Sequence, residues 1–313
     1  MKKGRVLGGL GALAVALLAL GLSFRAATLD TAGGEPGPKL PTPMRTEGVS
    51  LHAIKAGRMG STAAMAYRGG GFADARVFGM GAILVHHPLG CLIFDTGFGK
   101  DVDQHVKTTP LLMRLTSSYD KEPTVAEQVA AAGIGKDDLL GIVLTHAHWD
   151  HVSGIPDLPG VPVLVNLEEL QYIRGGDAST KLARSFHDVS YRQYRYNGGP
   201  YAGFERSLDL FNDGSVVLVP AGGHTPGSVI AFINTSEGGR YALVGDLVWQ
   251  KEGVDLPAER PWVSRMLVDA DPARVRHLLV QLHRLQQTNP ELVIVPAHDR
   301  RVWDRLPPLT SVK

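Results

Sequence analysis

Apolar and polar positions divide the chain into three stretches. Residues 6–24 carry no charge and follow the basic run Met1-Lys2-Lys3-Gly4-Arg5. A basic start before an apolar stretch of that length is the pattern of a signal peptide or an N-terminal membrane anchor, so residues 1–24 are set apart from the fold. The basic flank stays on the cytoplasmic side, which places everything after Phe24 on the periplasmic or extracellular side. Residues 25–48 are rich in Gly, Pro and Thr around Gly33-Gly34-Glu35-Pro36-Gly37-Pro38. With few large apolar residues, they are expected to form an unpacked linker. Residues 49–313 hold the patterns of a folded domain.

Within that domain the apolar runs are short. Residues 81–85 and 91–94 read as strands joined across His86-His87-Pro88-Leu89-Gly90. Further strands are expected at 141–144, 161–165, 215–219, 228–233, 241–244 and 292–295. Helices show through their ends. Thr124 and Glu127 form a capping box with Gly133 as the stop, and Asn166 with Glu169 opens a second helix. Asp271-Pro272 opens a third, whose Val275, Leu278, Leu279, Leu282 and Leu285 share one face. Some strands are separated by helices and others only by turns. This predicts an α+β sandwich with helices outside, rather than a doubly wound parallel sheet.

Composition narrows the classes of function. An apolar share of 44% is enough for a sizeable core. A net charge of +1 leaves no electrostatic footprint for nucleic acid. The expected partner is a small molecule, with the membrane engaged only through an uncleaved N-terminal segment. Cys91 is the only cysteine, which excludes an intrachain disulfide, and its apolar neighbours place it in a buried strand. His86 and His87 read as solvated turn residues without a metal role, and His277 and His283 as surface residues.

The chemistry lies at strand ends. The 141–144 run leads into Thr145-His146-Ala147-His148-Trp149-Asp150-His151, the 241–244 run into Gly245-Asp246, and the 292–295 run into Pro296-Ala297-His298. His224 lies in the glycine-rich turn Gly222-Gly223-His224-Thr225-Pro226-Gly227. Strand ends form a rigid rim on which ligands can be held in fixed geometry. His146 and His148, two apart, point the same way in extended chain, and Asp150 and His151 follow where it turns. Four ligating side chains in six residues exceed what one tetrahedral ion takes from a single loop. His224 completes one trio with His146 and His148, and His298 completes a second with Asp150 and His151. Asp246, with two oxygens, is then the bridge, and two divalent ions, zinc by ligand type, are expected.

This order of ligands resembles the metallo-β-lactamase superfamily, over essentially the whole chain from residue 49. The resemblance implies a four-layer αβ/βα sandwich with the site at one edge of the two sheets. It also implies that Asp95, in Phe94-Asp95-Thr96-Gly97, supports the metal ligands from behind. Asp246 argues against true β-lactamases, which generally lack this aspartate, and His148 against the iron-dependent redox branch, which has glutamate there. What remains is similar to the lactonase and organophosphate-hydrolase branch. Acyl-homoserine lactonases usually carry a tyrosine three residues past the bridging aspartate. Here that residue is Trp249, which donates one hydrogen bond and accepts none. Trp249 and Trp262 are expected as apolar walls of a substrate pocket. Tyr191, Tyr194, Tyr196 and Tyr201 read equally as a lid or as packing.

The implied activity is hydrolysis of a small-molecule lactone or carboxylic ester by a water that the metal pair activates, with Asp150 receiving and passing on the proton. Phosphotriesters are the alternative substrate class. A mononuclear iron sulfur oxygenase and a non-catalytic metal-binding protein are the readings of other classes.

Overall fold

Alternating burial along the strands builds the architecture. The computed structural model describes residues 18–310. One sheet has seven strands in the order β4-β1-β2-β3-β5-β6-β7. They span Ser50–Thr62 (β1), Ala75–His87 (β2), Gly90–Phe94 (β3), Tyr119–Lys121 (β4), Leu139–Val143 (β5), Val163–Val165 (β6) and Tyr191–Gln193 (β7). The other has five, β12-β11-β10-β9-β8. These are Leu208–Asp209 (β8), Val216–Pro220 (β9), Val229–Asn234 (β10), Arg240–Gly245 (β11) and Leu292–Pro296 (β12).

Each sheet buries both faces. In β9, Val216 and Leu218 turn inward to Ile83, Val85 and Phe94 of the larger sheet. Val217 and Val219 turn outward to Leu278, Leu279 and Leu282 of the Pro272–Thr288 helix. The larger sheet does the same, with Leu84, Ile93 and Ile142 packing outward among Val125, Val129, Leu170 and Ile173 of its helices. The period of two in the strands and 3.6 in the helices thus yields the predicted four-layer αβ/βα sandwich.

Helix ends lie where the sequence places them. Thr124 and Glu127 form the capping box of Val125–Ala131, and Asn166 accepts from Glu169 N at the start of Leu167–Arg174. All five apolar residues expected on one face of Pro272–Thr288 are buried. Cys91 is buried, and burial pushes its thiol up to about 11, the state of an inert core residue.

One strand is added and two expectations are corrected. Strand β1 has no clear signature in the sequence, because its lysine, histidine and glycines obscure the alternation and a register shift between Lys55 and Gly57 breaks its phase. His87 is not a solvated turn residue. Strand β2 runs through it, its ring stacks on Phe211 at 3.7 Å, and its Nε2 lies 3.0 Å from Asp213. Residues 25–48 do not behave as an unpacked linker. Leu40 is buried on the helical side of the smaller sheet. Its N–H donates to Asn289 Oδ1 at 2.9 Å, while Asn289 Nδ2 donates to Pro38 O at 2.9 Å. Gly37 lies so close to the Pro272–Thr288 helix that a Cβ would stand 2.6 Å from Leu285 Cα. A strap of this kind needs one apolar anchor and backbone partners, not a run of hydrophobics.

The proposed signal or anchor falls mostly on residues 1–17, outside the described residues. Among the described residues no helix is long and apolar enough to cross a membrane. Residues 18–24 are helical, and they meet the domain at Phe24, whose ring lies 4.9 Å from that of Phe72.

Candidate metal centre

Strands β3 and β5 are parallel, as are β11 and β12, so their C-terminal ends lead into Asp95, His146, Asp246 and His298 along one edge of the sandwich. The turn between β9 and β10 brings in His224. The ligating atoms of His146, His148 and His224 lie within 4.8 Å of one another, as do those of Asp150, His151 and His298. These are the two trios expected from the sequence. Asp246 stands between them. Its Oδ2 lies 3.5 Å from His224 Nε2 and 3.9 Å from His146 Nε2, and its Oδ1 lies 3.3 Å from His151 Nε2 and 3.0 Å from His298 Nε2. Asp150 Oδ2 is 3.4 Å from His298 Nε2.

Four of the five imidazoles have a polar partner behind the ring, while the Nδ1 of His148 faces His224 Nε2 at 3.0 Å. His298 Nδ1 lies 2.8 Å from the carbonyl of Gly79, which can only accept, so Nδ1 carries a proton and Nε2 is the nitrogen turned to the cluster. His151 Nδ1 lies 2.8 Å from Asp95 Oδ2, the role expected of that carboxylate. Asp95 also accepts from Thr145 N and Thr145 Oγ1, both at 2.7 Å, and its φ of 59° marks a backbone bent to deliver the carboxylate.

Charge and burial fit a cation. Burial, then the neighbouring imidazoles, holds His146 and His148 well below the usual histidine range, so both are neutral donors. Burial alone would raise Asp246, but His298 and His151 draw it well below the carboxylate range. Burial works to lower His151, yet Asp95, Asp246 and Asp150 push it well above the usual range. In His298 burial is likewise outweighed, by Asp246 and Asp150. Protons thus stand where the carboxylates call for positive charge. His146 Nε2, His151 Nε2 and Asp246 Oδ1 are buried without a hydrogen-bond partner, a costly state that ligation relieves. Imidazole and carboxylate together suit a divalent transition metal.

Trp249 lies at the cluster, its Nε1 donating to Asp246 Oδ2 at 2.8 Å, with Phe78 edge-on at 5.8 Å and the Arg260 guanidinium 4.8 Å from its ring centroid. Trp262 does not join the cluster. Its side chain does not reach the ligands: the residue is 47% exposed, and its backbone N–H donates to Ser23 Oγ, because its helix turns outward after Pro261. The tyrosines pack rather than form a lid. Tyr194 and Tyr196 meet edge-on at 5.6 Å beside the inter-sheet core, Tyr201 leans on Phe232, and Tyr191 packs under the larger sheet.

Three further side chains hold the ligands or their loops without a mark in the sequence that points to the site. Asp269 Oδ1 lies 2.9 Å from His224 Nδ1 and pairs with Arg260. Arg260, itself buried, donates to Asp246 O at 2.7 Å. Glu169, visible in the sequence only as part of a helix start, is buried at 1% exposure between two ligand loops. Its Oε1 accepts from Ala147 N at 2.6 Å, and its Oε2 accepts from Thr225 Oγ1 at 2.7 Å and Gly227 N at 3.1 Å. No local signal marks Asp269 or Arg260.

Comparison with known proteins agrees with this geometry. Residues 82–298 match the metallo-beta-lactamase superfamily. The chain is 30% identical over 239 residues to a probable metallo-hydrolase of Mycobacterium tuberculosis, covering 69% of this chain and 73% of that one. Among solved structures, an N-acyl homoserine lactone hydrolase with its product N-hexanoyl-L-homoserine superposes with a TM-score of 0.63 at 17% identity, over 82% of this chain and 95% of that one. The dizinc quorum-quenching lactonase AidC superposes with a TM-score of 0.51 at 14% identity, over 85% of this chain and 91% of that one. These two likenesses concern the fold alone. With the sandwich, the ordered ligands and the family match all in hand, the chain belongs to the metallo-β-lactamase superfamily and is a metallo-hydrolase.

Proposed function

We propose that this chain is a dinuclear hydrolase of a small-molecule lactone or carboxylic ester. The observation that carries the reading is Asp246, which presents one oxygen to each ligand trio. His146, His148 and His224 would hold one divalent ion, and Asp150, His151 and His298 the other. Such a pair, zinc by its donor set, supplies an acidified water and a polarising centre for the substrate oxygen. The protein's own part is positional. Asp150 receives the proton released by the water and returns it to the leaving group. Trp249 fixes the rotation of Asp246 through its indole N–H and turns an apolar ring to the substrate. Arg260, the guanidinium beside Trp249, is committed to Asp246 O and Asp269, which favours a neutral ester over a charged phosphate. Neutral phosphotriesters suit the same site and are the second reading.

The near-neutral chain and its basic, then apolar, first 24 residues support an exported domain tethered to the cytoplasmic membrane. Metal analysis of the purified protein, alongside turnover of lactones, esters and phosphotriesters, tests the catalytic reading. About two ions per chain are expected, with Asp246→Asn lowering occupancy and turnover together. A single iron with oxygen uptake would favour the sulfur-oxygenase reading, and a loaded protein inert towards all three substrate classes would sink the assignment.

A further inference from the structure

Three segments far apart in sequence meet beside the metal edge and leave apolar side chains in water. Residues 18–24 bring Leu22, which is 49% exposed, and Phe24, whose ring touches Phe72 at 4.9 Å. Phe72, in the loop before β2, is 65% exposed. The Trp262–Val268 helix adds Trp262, bonded to Ser23, and Met266, one turn on and 66% exposed. That helix buries Ser264 on its other side, where the hydroxyl donates to Met65 O, so its apolar face is turned out. Exposed apolar groups drawn from three segments form a patch, which marks an interaction surface more than scattered ones do.

A basic collar accompanies the patch. Arg68 donates to the carbonyls of Leu22 and Arg25, at 3.3 and 3.2 Å, and shares the carboxylate of Glu259 with Arg265 and Arg276. Three guanidiniums on one carboxylate leave two positive charges in excess. Asp74, near Phe72, pairs with Arg76 at 2.7 Å, and Arg76 also pairs with Glu252, which Arg301 meets in turn. The chain enters this face from residues 1–17, whose sequence is basic and then wholly apolar. The face also adjoins the centre. Trp262 lies two residues past Arg260, whose guanidinium stands 4.8 Å from the Trp249 ring at the cluster.

We propose that this face docks onto an anionic lipid bilayer, holding the metal edge at the lipid–water boundary. The apolar side chains enter the headgroup region, and Arg276, the most open of the three guanidiniums at 44% side-chain exposure, meets the lipid phosphates with the excess charge of the cluster behind it. The inference rests on the membrane tethering proposed above.

Tryptophan emission tests it in the full chain, reconstituted into vesicles of phosphatidylglycerol and phosphatidylcholine. Trp149 and Trp303 are buried and Trp249 is half-buried, so the difference between the chain and its Trp262→Phe variant isolates the exposed indole. Docking predicts that this difference emission shifts to the blue. It should also be lost with brominated acyl chains, more from bromine near the headgroups than near the bilayer centre. Phe72→Glu with Met266→Glu should abolish that quenching at unchanged metal content. A chain that sediments with the vesicles while Trp262 stays unquenched overturns the docking face and leaves the tether standing. Unquenched but blue-shifted emission would mean that protein, a second copy or residues 6–17, covers the face, and overturns it equally. A chain that does not sediment with the vesicles refutes tether and face together.

Discussion

Glu169 grips both ligand loops, one oxygen on the Ala147 N–H between His146 and His148 and the other on Thr225 and Gly227 after His224. Its surroundings pull in opposite directions. Burial raises its pKa from 4.5 to about 7, against hydrogen bonds from Thr225, Ala147 and Gly227 that favour the charged form. The folded state therefore holds this proton more tightly than the unfolded chain does. The stability it contributes is complete below pH 4.5 and is lost as pH rises to about 7. The metal-free protein should show this fall in its unfolding midpoint, and Glu169→Gln should lack that part of the slope. The variant is also expected to be less stable throughout, because its amide would turn a donor towards Gly227 N–H. Identical pH profiles for the two proteins would show that Glu169 does not titrate in this window.

At the scale of elements, the Pro272–Thr288 helix does more than cover the smaller sheet. Its N-cap Asp271 accepts from Ala273 N and Arg274 N, both at 3.0 Å, while the Asp271 N–H donates to Gly223 O at 2.8 Å. Ala270 N donates to His224 O at 3.0 Å, so the start of the helix and the ligand turn are one backbone unit. Gly223 can make this approach because it carries no side chain. Its φ is 154°, and a Cβ there would stand 3.1 Å from Val275. Asp271→Ala removes the cap acceptor but keeps the backbone bonds. It should cost about 1 kcal/mol of stability in chemical denaturation and leave metal content intact. A loss of bound metal at mild destabilisation would instead assign the side chain to the site.

At the scale of the molecule, the chain before β1 closes the smaller sheet's helical side. Leu40 joins Leu282 and Leu285 in that layer, and Met44 N donates to Asp213 O at 2.9 Å. Leu40→Ala should therefore destabilise the whole domain by about 2 kcal/mol, the low end for a buried leucine because the site lies at the layer's rim. An unpacked linker would tolerate the change within about 0.5 kcal/mol. Equilibrium unfolding distinguishes the two.

Features that rest on short-range pattern were legible from the amino-acid order. His146, His148, Asp150 and His151 lie within six residues, and His224, Asp246 and His298 each follow a strand or glycine turn that names its own place. The Thr124–Glu127 capping box and the apolar face of Pro272–Thr288 are likewise local, since a helix repeats every 3.6 residues whatever packs against it. Features that rest on a distant partner were decided only by the tertiary structure. Asp269 meets His224 across 45 residues, Glu169 meets Ala147 across 22, and Leu40 meets Asn289 across 249. Trp262 shows the same limit, because an apolar aromatic residue expected as a pocket wall suits an outer face equally well. Whether a polar or aromatic side chain is buried, paired or exposed depends on which surfaces the chain brings together, and periodicity records a segment's own geometry but not its neighbours.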